Sequence, residues 1–391
     1  MRKMVSAFAV LGLVALSMSV NQAMAQEKIL VGAAIGVSGW IAPYDGPPLN
    51  AAKIAIEEIN QRGGLLGRSL ELIVADTKTD RVQGAKAAAD LIDQGAQFLI
   101  TSCDYDMGGP GALVAQNRGI IVFSPCAGDS KFGPKGIGEL AFTMASGTGN
   151  QAFVSAEWAH GRKGWRNAYI LLDNTLAFHK SSVRDFEEAW NQLPGAKVVG
   201  KDIFKNDDPS IASQITRIKN AGVAPDFIFI SSHVPGGPSA MRQIRAAGIN
   251  IPFLGVGDMD GDYWLGAVPD LSEFYFSTYN SVFGDDPNPK VNDFTKAYAA
   301  KFGSRPGGSF ALTGYSVIEA WAKAVERAGT LDSQKVRAAL ESFKNEPLLV
   351  GATSFSAVNH IQYNRALVIM QVQGGKMSAV ESFTNKMTTT N

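Results

Sequence analysis

Apolar positions along this chain fall into short β-rich runs separated by segments of helical period. "ILVGAAIGV" (29–37) is a nearly unbroken apolar run closed by Gly and Ser, the pattern of a strand buried on both faces. Pro47-Pro48 is expected to open the next helix. Leu49, Ala52, Ile56 and Ile59 share one face of it, and "RGGLLG" stops it. A strand over 70–76, a helix over 81–94, a strand over 97–102, a helix over 110–118 and an apolar run over 120–124 continue the alternation. Three βα units in succession predict a parallel sheet with right-handed crossovers. A second series follows, with strands over 167–173, 197–204, 226–231 and 252–257 and helices over 180–192, 209–220 and 237–247. Helices over 289–302, 308–328 and 332–343 have no strand between them and are expected to cover a domain already built. The run over 365–373 must then join an existing sheet. The expected fold class is α/β, with two similar halves, each with its own sheet.

Composition changes this picture little. The 391 residues suffice for two domains, and 46% hydrophobic with 18% charged residues describes a globular chain. A formal net charge of zero offers no basic surface for nucleic acid or an anionic membrane. The N-terminus adds more. Arg2 and Lys3 precede the apolar "AFAVLGLVALSMSV", and Ala23-Met24-Ala25 places small residues where a signal peptidase reads them. The apolar run is short of the roughly 20 residues that span a bilayer. A signal peptide over 1–25, cleaved after Ala25, is expected, and with it a periplasmic protein that has no integral membrane segment.

Export makes the two cysteines informative, because disulfides persist outside the cytoplasm. Cys103 and Cys126 each close an apolar run, and the βαβ reading puts both just beyond neighbouring parallel strands at one edge of the sheet. Strands about 4.8 Å apart bring such residues within disulfide reach. A metal site lacks further ligands, since His160, His179, His233 and His360 show no ligand spacing with each other or with Cys. "DMDGD" (258–262) has its Gly at the fourth position, where a calcium loop needs it at the sixth. "GVSGW" is no nucleophile elbow, "GVGDMDG" is mis-spaced for a dinucleotide fingerprint, and no phosphate-binding loop is present. No catalysis, cofactor or metal is expected.

"GVSGWIAPYDGPPLNAAKIAIEEINQRGGLLGRSLELIVAD", "IIVFSPCAG" and "DFIFISSHVPGGPSAMRQIRAAGI" with its following "FLGVG" resemble periplasmic binding proteins for branched-chain amino acids. The similarity runs from about residue 28 to 280 and more weakly to the end. It implies a type I binding-protein fold, two doubly wound domains joined by three crossover strands near 144–148, 276–281 and 352–357. The implied lobes are 28–145 with 279–354, and 146–278 with 355–385. The implied partners are a small-molecule ligand held in the cleft and an inner-membrane ABC permease, with the protein itself a monomer.

The resemblance also implies ligand positions. Tyr44 falls where relatives place an aromatic against the ligand, and Trp40 is a candidate second wall. Asp104, Tyr105 and Asp106 follow the third strand, with Tyr105 where amino-acid binders carry a hydroxyl for the ligand carboxylate. One of these acids suits a helix cap equally well. Cys126 and Ala127 match positions whose backbone holds ligand, and Gly128 stands where relatives often have Thr. Phe178 and His179 replace a Tyr-Gly pair, His233 lies near an aromatic position, and Asp258 near the acid that receives an ammonium group. Hydroxyls are largely lost and aromatics kept, so a bulkier, flatter ligand than leucine is expected, such as an aromatic acid, with an ordinary amino acid as the alternative. A periplasmic sensor subunit and an exported α/β enzyme are the rival functions.

Overall fold

The computed structural model describes residues 27–387, so the expected signal segment lies outside the described residues. The chain first builds β1 (Ile29–Ile35), α1 (Ala42–Gln61), β2 (Leu70–Asp76), α2 (Arg81–Asp93), β3 (Ala96–Thr101), α3 (Tyr105–Asn117), β4 (Val122–Ser124) and β5 (Ala141–Thr143). These strands form a parallel sheet in the order β2-β1-β3-β4-β5. Next come α4 (Thr148–Trp158), β6 (Asn167–Asp173), α5 (Ala177–Gln192), β7 (Lys197–Phe204) and α6 (Ala212–Lys219). They are followed by β8 (Phe227–Ser231), α7 (Gly236–Ala246), β9 (Phe253–Gly255) and β10 (Phe274–Thr278). The five strands of this series repeat the first order, as β7-β6-β8-β9-β10, again parallel. α8 (Pro289–Phe302), α9 (Phe310–Ala328), α10 (Ser333–Glu341) and the small hairpin β11 (Glu346–Leu348) and β12 (Gly351–Thr353) follow without entering either large sheet. β13 (Leu367–Gln373) and β14 (Lys376–Phe383) then extend the second sheet as an antiparallel edge.

Burial explains which elements were legible. The central strand β8 is buried at every residue, while the edge strand β2 is buried at Leu70 alone. Asp80, Asn288 and Asp332 cap α2, α8 and α10 by accepting from the backbone N–H of Gln83, Lys290 and Lys335. Gly303 and Gly329 end α8 and α9 with φ of 81° and 65°, which Cβ-bearing residues rarely adopt.

Three expectations need correction. α1 begins at Ala42, with Pro47 and Pro48 inside it. Pro43 takes the first-turn position where a missing N–H is harmless, and the packing of α9 holds the helix through the later prolines. A Cβ on Gly314 of α9 would lie 2.3 Å from Pro48 Cα, so the two helices touch backbone to backbone there. Tyr315 donates to Glu58 at 2.6 Å along the same contact. α3 begins at Tyr105 rather than 110, because Asp104 caps it and Gly108 allows a close approach to the backbone after β3, where a Cβ would lie 2.6 Å from Ser102 O. α4 was not foreseen, since every residue from 148 to 156 is buried and no polar face marks a period.

The chain passes between the two sheets after β5, after β10 and after β12. The first and last of these passes pair with each other: Gly147 N donates to Gln362 O at 2.8 Å and Gln362 N to Ala145 O at 3.1 Å. Arg365, 3% exposed, gathers them. Its guanidinium donates to Met144 O (2.7 Å), Ala352 O (3.3 Å) and Thr353 Oγ1 (2.7 Å), and Asn150 Nδ2 donates to its carbonyl at 2.9 Å. Among the described residues no carboxylate pairs it; burial pulls its pKa down to about 10, opposed by the neighbouring Tyr279 of the second pass.

Lysine cannot reach three divergent acceptors from one ammonium. Arg365→Lys is therefore expected to lower unfolding free energy by about 2 kcal/mol, read by urea denaturation. An unchanged midpoint would mean that the crossing strands hold without it.

Candidate functional site

Both sheets turn their carboxyl ends toward one cleft, and ligands of open α/β sheets sit at that end, where the strand order reverses. Here the reversal falls at β1/β3 in one sheet and at β6/β8 in the other. The loops leaving β1, β3, β4, β6, β8, β9 and β10, with α4 and the start of α9, enclose a cavity of about 60 Å³.

In the first lobe a buried carboxylate organises the wall. Asp45, 2% exposed in the first turn of α1, accepts from Gly36 N and Cys103 N, each at 2.7 Å, and from the Ser102 hydroxyl. Burial pushes its pKa up to about 6 against those donors. It ties the loop after β1, which carries Trp40, to the loop after β3, which carries Cys103. Cys103 and Cys126 form the expected disulfide, with Cα atoms 4.5 Å apart, and both line the cavity.

In the second lobe Asp173, at the end of β6, has the same office. It accepts from Thr175 N and Oγ1 at 3.0 and 2.6 Å, from Asn206 Nδ2 at 2.9 Å and from Ser232 Oγ at 2.8 Å. Burial would raise its pKa, but these donors and the neighbouring His233 and His179 outweigh it and hold the carboxyl well below the usual range. Asp258 Oδ2 accepts from Ser231 Oγ (2.8 Å) and Ser232 N (3.0 Å) and lies 3.3 Å from His179 Nδ1. Its Oδ1 is buried without a partner. Burial raises this carboxyl too, opposed by His179 and Ser231.

The two lobes are in contact across the cleft. Tyr44 donates to Asp258 O at 3.1 Å, Ala177 N to Asp106 Oδ2 at 2.8 Å, Ser181 Oγ to Asp129 Oδ2 at 2.9 Å and Ser309 N to Asp260 Oδ2 at 2.6 Å. The Trp40 and His233 rings meet with centroids 4.7 Å apart.

Of the residues singled out in the sequence, Trp40, Tyr44, Asp104, Cys126, Phe178, His233 and Asp258 line the cavity. Tyr105, Asp106, Ala127 and Gly128 are not in its wall. Helix geometry turns Tyr105 and Asp106 away by about 100° per residue once Asp104 caps α3. Tyr105 packs under Lys131, 5.9 Å from its ring, and Asp106 pairs with Arg81 at 3.1 Å besides holding Ala177. Ala127 is buried behind the wall, its N–H donating to Ser124 Oγ at 3.0 Å. A Cβ on Gly128 would lie 2.8 Å from the Phe178 ring, so a side chain there and this Phe exclude one another.

Ile41, Gln151, Leu176, His179, Gly257, Tyr279 and Phe310 complete the wall. His179 stood beside Phe178 in the sequence comparison. Gln151, Tyr279 and Phe310 come from α4, the pass after β10 and the distant start of α9, where no local pattern marks a loop at a strand end. No Lys or Arg is among the lining residues.

Asp173, His179 and His233 have potential ligand atoms within 4.8 Å of one another. Their geometry is that of a hydrogen bond rather than a metal centre. His179 Nε2 and His233 Nδ1 are 3.0 Å apart, the rings lie within 15° of one plane and their centroids are 5.2 Å apart. The nitrogens thus point straight at each other, whereas zinc between opposed lone pairs needs about 4 Å.

Asp104 is a buried cap whose pKa is pushed up to about 7 by burial and by the Asp106 carboxylate. An acid raised from about 4 when unfolded binds its proton more tightly in the native state, so its contribution to stability falls as pH rises from about 4 to about 7. Asp104→Asn keeps the cap and removes the titration. The variant is expected to exceed the parent by on the order of 2 kcal/mol at pH 8 and to show a flatter stability curve below it. Parallel curves would place the titration elsewhere. Replacing both cysteines by serine is expected to cost roughly 3 kcal/mol, from the 23-residue separation that the bridge closes, as read by thermal unfolding without reductant.

The chain matches the family described as "Periplasmic binding protein" over residues 28–376. It is 23% identical over 359 residues to the Leu/Ile/Val-binding protein BraC3 of Rhizobium johnstonii, covering 92% of this chain and 95% of that one. Its fold matches the branched-chain amino acid transporter substrate-binding protein LivJ from Streptococcus pneumoniae in complex with isoleucine. That match has a TM-score of 0.81 at 22% identity, and covers 92% of this chain and all of that one (100%). It also matches a solute-binding protein of an ABC transporter from Rhodopseudomonas palustris in complex with 3,4-dihydroxybenzoic acid. There the TM-score is 0.74 at 22% identity, with 92% of this chain and 98% of that one covered. No helix among the described residues is long and apolar enough to cross a membrane. With a match running through both sheets and the cleft between them, this chain belongs to the periplasmic binding proteins.

Proposed function

We propose that this protein captures a small aromatic acid bearing a hydrogen-bond donor, such as a hydroxy- or aminobenzoic acid, and delivers it to an inner-membrane ABC importer. One observation carries the reading: a cavity ringed by Trp40, Tyr44, Phe178, Tyr279 and Phe310 and bordered by Asp258, whose Oδ1 is buried without a partner. The rings suit a flat apolar body, and the buried oxygen calls for a donor from the ligand. The solved relative that holds 3,4-dihydroxybenzoic acid supports the same ligand class.

In this reading residues 28–145 with 279–354 close on 146–278 with 355–385, and the closed form is what the permease recognises. The protein acts as a monomer and makes or breaks no covalent bond in its ligand. A second reading, an aliphatic amino acid, also has support. Asp258 Oδ1 would accept from an ammonium group, and BraC3 is named for leucine, isoleucine and valine.

A thermal-shift series separates the two. Benzoate, 4-hydroxybenzoate, 3,4-dihydroxybenzoate, 4-aminobenzoate, L-phenylalanine and L-leucine are compared on ligand-free protein. A ligand at 100 times its Kd adds about 2.7 kcal/mol of stability. The donor-bearing benzoates are expected to raise Tm most and L-leucine least. A strong response to leucine with none to the benzoates would overturn the proposal in favour of the amino acid.

A further inference from the structure

The paired histidines at the cleft floor fit neither a simple hydrophobic wall nor a metal site, and their hydrogen bonds can be counted. Ser231 Oγ donates its single proton to Asp258 Oδ2, so toward His179 it is an acceptor. Asp258 Oδ2, already receiving Ser231 and Ser232 N, is an acceptor as well. His179 Nδ1 therefore carries a proton. Its Nε2 is left as the acceptor for His233 Nδ1–H at 3.0 Å, with Asp173 Oδ2 3.5 Å from the same nitrogen. The two amide protons of Asn206 are engaged by Asp173 Oδ2 at 2.9 Å and His233 O at 2.8 Å, so nothing forces His233 Nδ1 to act as an acceptor. In this arrangement His233 Nε2, which has no hydrogen-bond partner among the described residues, bears a lone pair.

A carboxylate in the cavity cannot meet a lone pair. Asp104 and Asp258 also line the cavity, without Lys or Arg, and Asp173 lies just behind, so an anion would enter a site of its own sign. The side chains lining the cavity that can become positive are His179 and His233, and His179 has both nitrogens engaged inside the protein.

We propose that His233 takes up one proton at Nε2 when an acid binds, so that ligand and proton enter the closed cleft together, with His179 as the positioning residue that fixes the Nδ1–H tautomer. The inference rests on the acidic ligand proposed above. The groups facing His233 are Asp173 from the end of β6, His179 from α5 and Asp258 from the loop after β9, with Asp104 reaching it through His179. Burial lowers the pKa of His233 in the free protein, against the raising pull of Asp173 and Asp258, so near pH 8 the ring is neutral and able to accept. Once protonated it stands against the Trp40 indole, 4.7 Å between centroids, which favours the cation and draws the lobes together.

Two measurements on the mature protein test this. Long-range proton–nitrogen NMR of the ligand-free protein between pH 5 and 8.5 reads both rings. The expected result at pH 8 is a neutral His233 protonated at Nδ1 and a His179 protonated at Nδ1. A doubly protonated His179 at that pH, or a His233 protonated at Nε2 before any ligand is added, overturns the proposal without reference to ligand. Calorimetry with 4-hydroxybenzoate at pH 8, in buffers of different ionisation enthalpy, reads protons exchanged on binding. About one proton taken up per ligand is expected, with affinity falling about tenfold per pH unit above the His233 midpoint. His233→Gln, which offers a fixed donor, is expected to abolish both the uptake and the slope, and Asp104→Asn to leave the uptake in place. Binding without uptake, or uptake that survives in His233→Gln and disappears in Asp104→Asn, overturns the assignment. No binding of 4-hydroxybenzoate would instead defeat the ligand reading, while the NMR result still decides the tautomer on its own.

Discussion

Parallel strands that end at a common edge leave backbone and hydroxyl donors pointing into the space between the two lobes. In each lobe one buried aspartate collects them. Asp45 gathers Gly36 N, Ser102 Oγ and Cys103 N, and Asp173 gathers Thr175, Asn206 and Ser232. An unpaired buried donor costs roughly 1–3 kcal/mol, so these carboxylates make two sets of loops rigid that would otherwise need solvent. Residues that line the cavity hang from them. Trp40 and the disulfide depend on Asp45, and the histidine pair depends on Asp173.

The cleft built on those anchors combines apolar walls with concentrated negative charge. Burial raises Asp45, Asp104 and Asp258, whereas Asp173 is lowered because its donors outweigh the same burial. The difference is one of partners rather than depth. Asp173 holds four hydrogen bonds and two neighbouring imidazoles, while Asp258 keeps one buried oxygen without a partner. Asp106, turned from the cavity by the start of α3, serves closure instead by receiving Ala177 N from the opposite lobe.

Strand-by-strand, the pattern of apolar runs was a good guide. β2, β6 and β7 coincide with the runs read from the sequence, as does α8, because each has a half-buried period or sharp turn residues at its ends. α4 escaped because burial on every side erases periodicity, and β14 because it alternates as an exposed edge hairpin. At the site, Trp40, Tyr44, Phe178, His233 and Asp258 were legible because they follow strand ends in sequence. Tyr279 and Phe310 were not, since they reach the cavity from a pass between sheets and from the start of a helix packed on α1.

The chain's sequence alone determined the class of fold, the neighbourhood of the two cysteines and the loops that border the cavity, because hydrophobic period and turn chemistry are local properties. Tertiary structure alone decided which side of each loop faces the cavity. A single cap at Asp104 turns Tyr105 and Asp106 outward, Phe178 fills the space a side chain at 128 would need, and His179 meets His233 across 54 residues of sequence. Those outcomes depend on distances between segments that are far apart in the chain, and no periodicity encodes such distances.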